Sequence, residues 1–272
     1  MELTFEAVDD LVGALIRGRL GSGPVLGKFA PKSIGPLLEL ACSLGECGRN
    51  PMLASSWLDS FSQGDMRRAL SGSQLVWFDG TRRRGFLRTS EHRSDDSYET
   101  TRSGFLIAAD VAAKGAGFAI SIAQSLAAAI REMESNIYEH SGRPESGLMA
   151  YQANADCFEF VIADCGRGVL ETLKEAPEFK GLVDHGRALH LALQEGNSRF
   201  GKSANRGMGF RDLFVGISRL NADIRFRSGD HALTLKGIRT SLTTAQLLQK
   251  PFYQGLLASV RCELPPGSDA WH

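Results

Sequence analysis

The sequence predicts an α+β domain: a two-layer α/β sandwich in which helices lie against a mixed, mainly antiparallel sheet, preceded by a smaller α/β N-terminal region. Three observations carry this reading. Apolar residues recur at helical spacing in several stretches, β-like runs come in neighbouring pairs joined by turn residues, and too few helices separate those runs to act as crossovers of a parallel sheet. With 43% hydrophobic residues, 23% charged residues and 9 prolines, the composition is that of a folded chain.

In chain order, Phe5, Val8, Leu11, Val12 and Leu15 mark a first amphipathic helix. Leu37, Leu38, Ala41 and Leu44 mark a second, behind a start signal at Ser33. The run Leu75-Val76-Trp77-Phe78 meets the turn pair Asp79-Gly80 and leaves through 82–88 as a hairpin. Residues 91–103 are poor in apolar side chains and read as a linker or surface loop, which divides the chain into an N-terminal region (1–103), a second domain (104–245) and a C-terminal extension (246–272). One long helical pattern covers 115–140, and a hairpin comes next with strands over 148–152 and 158–163. Asp184 and Gly196 bracket a helix over 182–195. A further helix is expected over 210–220, then strands over 223–227 and 232–236 around the turn Ser228-Gly229-Asp230, and a last strand over 239–243.

Charge and cysteine content narrow the setting. Lys plus Arg and Asp plus Glu each number 31, so the whole chain has no field to draw in nucleic acid or an anionic membrane. The arginines of 82–88, with Phe86 among them, are a candidate phosphate-and-base patch, but Glu91, Asp95, Asp96 and Glu99 come directly after and favour a solvated or mutually paired charged surface. No nucleic-acid partner is therefore expected. The 5 cysteines are odd in number with no C-x-x-C pair, the N-terminus is acidic, and the longest uncharged stretch, 115–130, is interrupted by Gln124 and Ser125. A reduced, cytoplasmic protein without a membrane span is the expectation.

Three segments carry chemistry. In 132–140, Glu132 and Asn136 are four residues apart on one helix face, where a carboxylate can orient or deprotonate a nucleophile and an amide oxygen can ligate magnesium; the same spacing also suits an ordinary solvated face. In Asp164-Cys165-Gly166-Arg167-Gly168, an aspartate at a strand end can accept from an exocyclic amine while Gly166 and Gly168 let backbone pass close to a planar ring; an Asp/Gly turn is the plain alternative. In Asn205-Arg206-Gly207-Met208-Gly209, Gly207 and Gly209 open a helix whose free N–H groups could meet a phosphate, and a tight entry loop is the equal alternative. It is neither a Walker loop nor a Rossmann fingerprint.

Taken in order, E-x-x-x-N on a helix, a hairpin ending in D-x-G-x-G, an interval of roughly forty residues and G-x-G opening a helix, the chain resembles the GHKL, or histidine-kinase-like, ATPase family over about half its length. The resemblance implies the Bergerat ATP-binding fold and ATP with Mg2+ as cofactors. It makes Glu132 the catalytic residue, Asn136 the magnesium ligand, and Asp164, Gly166, Gly168, Gly207 and Gly209 nucleotide-binding, with Lys202 and Arg206 as lid residues that could reach phosphates. It further implies a mobile lid over 169–206. The family's last strand begins Gly-Thr, whereas here Gly237-Ile238-Arg239-Thr240 offers Thr240 as a displaced substitute near adenine. No phosphoacceptor segment of the H-E-x-x-P type is present, and His185 and His190, five apart, read as structural. The organisation is most similar to stand-alone anti-sigma-factor kinases. The resemblance therefore implies an ATP-binding regulatory protein with Mg-dependent serine/threonine kinase or slow ATPase activity toward a protein partner, with a homodimer allowed. The other reading is a catalytically silent, ATP-dependent binding module whose N-terminal region is the effector.

Overall fold

The computed structural model describes residues 2–17, 32–43, 64–194, 221–238 and 242–265. Strands β1 (Val76–Phe78), β2 (Arg84–Arg88), β3 (Leu148–Asn154), β4 (Cys157–Asp164), β5 (Asn221–Ile238) and β6 (Gln246–Glu263) form a six-stranded sheet in the order β1-β2-β3-β4-β6-β5. Every pairing is antiparallel, so the α+β reading holds while the mixed sheet does not. The reason lies in the connections: β1–β2 and β3–β4 are hairpins, β6 folds straight back along β5, and no helix carries the chain to a parallel neighbour.

Side chains alternate across the sheet and feed two cores. Met149, Tyr151, Phe158, Phe160, Ile162, Ala258 and Val260 face a layer made of α4 (Asp96–Gly115), α5 (Ile120–His140), α6 (Gly168–Leu173) and α7 (His185–Leu193). Leu148, Ala150, Val161, Ala163 and Leu257 face α1 (Phe5–Ile16), α2 (Ile34–Ser43) and α3 (Gly64–Ser71) on the other side. The N-terminal helices therefore cover the second face of the same sheet that their hairpin extends.

Polar groups fasten that second layer. Glu159 of β4 is fully buried, and its carboxylate accepts from Ile34 N (3.0 Å), Gly35 N (2.8 Å) and the Ser33 hydroxyl, satisfying donors that the start of α2 would otherwise leave bare. Burial raises its pKa, against the pull of those donors. Beside it, Glu39 of α2 lies between Arg225 (2.8 Å) and Arg227 (2.9 Å) of β5, and Arg225 also reaches Asp9 of α1 at 2.9 Å. Lys250 of β6 completes the set at 2.9 Å from Asp9.

Several elements differ from expectation. The supposed linker before 104 is the first two turns of α4, capped by Asp95, whose side chain accepts from Ser97 N at 3.0 Å. Its inward face carries Tyr98 and Arg102, and both meet the buried Glu134 of α5, so polar residues occupy positions where periodicity looks for apolar ones. The pattern over 115–140 is two helices joined at 116–119, with Gly117 at φ 97°. Asp79-Gly80 begins a longer loop in which Arg82, at φ 54°, takes the left-handed conformation. Ser228-Gly229-Asp230 is a bulge within β5, not a turn, with register shifts on both sides of Gly229. Of the final strand expected over 239–243, residues 239–241 lie outside the described residues and Leu242–Thr244 form a 3-10 turn, while β6, in the expected extension, is an interior strand between β4 and β5. Among the described residues no helix is long and apolar enough to cross a membrane.

Candidate nucleotide site

Asp164 is the last residue of β4, buried at 5% exposure. Its Oδ1 accepts from Gly166 N at 2.8 Å, and the Leu256 amide of the neighbouring strand is a second donor. Burial raises its pKa to about 6, the two amides pulling the other way. The carboxylate is thus fixed in direction at the strand end.

The loop after Asp164 is clamped from three sides. From α5, the Ser141 carbonyl accepts from Arg167 N at 2.9 Å and the His140 carbonyl accepts from Arg167 Nε at 2.8 Å. A Cβ at Gly166 would stand well inside the van der Waals radius of that Ser141 carbonyl, so glycine is the residue the approach permits. From the β5 bulge, the buried Ser228 hydroxyl accepts from Val169 N at 2.9 Å and donates to Gly255 O at 2.8 Å, which fixes the start of α6. From β6, Gln254 Nε2 donates to Gly166 O, and Gly255, at φ 85°, backs onto Asp164 with no room for a side chain. Gly168, at φ 79°, makes the turn into α6.

The structure thus brings the 132–140 segment and the 164–168 loop together. Asn136 lies one turn before His140, roughly 6 Å along the axis, and Glu132 one turn before that. Both are half-buried, Glu132 has no hydrogen bond or ion pair among the described residues, and the buried Nδ2 of Asn136 has no partner. Glu134 is a different case: it is fully buried and engaged by Arg102, Tyr98 at 2.8 Å and Arg93 at 3.7 Å, so it ties α5 to α4 and leaves Glu132 as the available carboxylate.

Lys202, Arg206, Gly207, Gly209 and Thr240 lie outside the described residues. Beside Asp164 the neighbouring strand is β6, which presents Gln254-Gly255-Leu256 where the resemblance calls for a threonine. The interval expected to be a lid is packed over much of its length: Leu170, Leu173, Ala188, Leu189 and Leu193 belong to the core, and Asp184 caps α7 by accepting from Arg187 N at 2.7 Å. His185 and His190 lie on α7 and are structural neighbours of the core; the His185 ring stands edge-on to Phe252.

Sequence reasoning missed Ser141, Ser228, Gln254 and Gly255. They are far from 164–168 in the chain, and Ser228 and Gly229 mimic a turn signal, so no local pattern marks them. In the arginine cluster Phe86 is fully buried, Arg84 pairs with Asp79 at 3.1 Å, Arg88 donates to Leu70 O at 2.6 Å, and Arg82 and Arg83 are exposed with no ion pair among the described residues. Set against protein-family models, curated proteins and solved structures, the chain matches none.

Proposed function

We propose that this chain binds an adenine nucleotide with Mg2+ in a Bergerat-type site and acts on it as a histidine-kinase-like ATPase or protein kinase. The observation that carries the reading is the clamp of the Asp164–Gly168 loop onto the C-terminal end of α5, which sets a buried, oriented carboxylate beside the helix bearing Glu132 and Asn136. Asp164 would accept from the exocyclic amine of adenine, its ionised form being the acceptor.

Among the described residues no group of three or more His, Cys, Asp or Glu could hold a metal by itself. Magnesium is commonly held chiefly by substrate phosphates with one or two protein oxygens. Asn136 would supply such an oxygen through Oδ1, its side chain half-buried on the helix face it shares with Glu132. Bound there, the ion would neutralise charge on the phosphates. Glu132, on the same face and without a hydrogen bond or ion pair among the described residues, would orient or deprotonate the attacking hydroxyl or water. That free carboxylate favours turnover over a silent binding module, since binding alone requires no base.

Incubation of the purified chain with γ-labelled ATP and magnesium, followed for released phosphate and for label on protein, tests the chemistry. Glu132→Gln should lower turnover by roughly a hundredfold or more while ATP affinity stays within a few-fold. Equal rates in the two proteins would remove Glu132 as the base. Tight binding with no turnover by the unaltered chain would make the binding module the better description.

A further inference from the structure

Away from the nucleotide site, a groove of about 400 Å³ runs between α3 and the first hairpin. Asp65, Arg68 and Ala69 form one wall and residues 77–80 the other. Consecutive strand residues point to opposite faces, so a groove touching Trp77, Phe78 and Asp79 together must follow the edge of β1 and not one face of the sheet. The other edge is taken by β2. Arg88 N donates to Leu75 O at 2.8 Å and Asp79 N to Arg84 O at 3.0 Å, which puts 75, 77 and 79 in the hydrogen-bonded positions. The N–H and C=O groups of Val76 and Phe78 therefore point outward, and among the described residues β1 is the terminal strand of the sheet.

The rim of this edge carries positive charge. Asp79 is engaged by Arg84 and Asp65 by Arg68, which leaves Arg82 and Arg83 exposed, with neither in an ion pair among the described residues. Arg82 is held with its guanidinium over the Phe78 ring, 5.2 Å from its centre. Trp77 stacks on the buried Phe86 at 6.0 Å, which gives the groove a rigid aromatic side.

We propose that the open edge of β1 takes an extended acidic peptide from a partner protein as an added strand. Backbone pairing with Val76 and Phe78 supplies the alignment, apolar side chains rest against Trp77 on one face and Phe78 on the other, and carboxylates meet Arg82 and Arg83. This inference does not depend on the nucleotide reading.

The probe is a fluorescein-labelled hexapeptide, Asp-Val-Phe-Val-Asp-Asp, titrated with the full chain by anisotropy. Saturable binding should fall about tenfold when its aspartates become asparagines, and about tenfold again when alternate backbone nitrogens are methylated. Arg82→Glu combined with Arg83→Glu, on an exposed loop, should produce a similar loss with the thermal midpoint unchanged. Hydrogen exchange should slow at the Val76 and Phe78 amides when peptide is present. Absence of saturable binding at millimolar peptide overturns the proposal, as does equal binding of the methylated or the neutral peptide. A chain that is already a dimer with Val76 and Phe78 protected also overturns it, because the edge is then occupied by a second copy.

Discussion

At the scale of single residues, Asp164 makes the sharpest prediction because its environment both holds and handicaps it. Burial lifts its pKa to about 6, above the ordinary carboxylate value. A raised acid binds its proton more tightly in the folded state, so its contribution to stability is full below the unfolded pKa and is lost as pH rises through about 6. Asp164→Asn should therefore stabilise the chain at pH 7.5 relative to pH 4.5, read as the shift in denaturant midpoint between the two pH values. Nucleotide affinity should run the other way. The ionised carboxylate is the acceptor, so ATP should bind roughly tenfold more weakly at pH 5 than at pH 7, and Asp164→Asn should flatten that difference as well as weaken binding at pH 7. A pH dependence that persists unchanged in the variant would assign it to other groups.

At the scale of elements, close contacts decide the outcome. Gly166→Ala drives a Cβ into the Ser141 carbonyl, so the loop must leave the end of α5; both ATP binding, by at least about tenfold, and thermal stability should fall, measured by calorimetry beside thermal melting. Glu159→Ala acts far from the site. It strips Ile34 N, Gly35 N and Ser33 of their acceptor and should cost roughly 3 kcal/mol in chemical denaturation while leaving nucleotide affinity unchanged. A variant as stable as the parent would mean that water replaces the cap. The elements that obey local rules were legible in the sequence: α1 and α2 by their apolar stripes, the β3–β4 hairpin by alternation around a polar turn, and α7 by its Asp184 cap. Those that break local rules were not. The start of α4 is hidden because Arg102 and Tyr98 point inward to satisfy a buried Glu134. β6 is hidden because Lys250, Pro251 and Gly255 punctuate it like a loop. The structure tolerates them because β4 pairs only with residues 256–263, leaving the earlier half of β6 without a β4 partner. The same long-range placement explains why Asp164 could be singled out from its neighbours in sequence while Ser228 and Gln254, which hold its loop, could not.

At the scale of the whole molecule, one sheet is shared by both helical layers, and the Glu39 cluster couples α1 and α2 to β5 and β6. Glu39→Ala leaves the Arg225 and Arg227 guanidinium groups buried without their common carboxylate, and a loss of about 3–5 kcal/mol is expected. Unfolding should remain a single transition, because the helices of the second face have no sheet of their own to retain. A separate early transition for the N-terminal helices would show that the cluster does not couple the layers. The adenine-nucleotide reading is tested most directly by calorimetric titration of the intact chain with ATP and magnesium, set beside GTP and the Asp164→Asn protein. Saturable ATP binding that exceeds GTP binding and is lost in Asp164→Asn is the expected result. A folded chain that binds no ATP, or binds GTP equally well and is indifferent to Asp164→Asn, would contradict it.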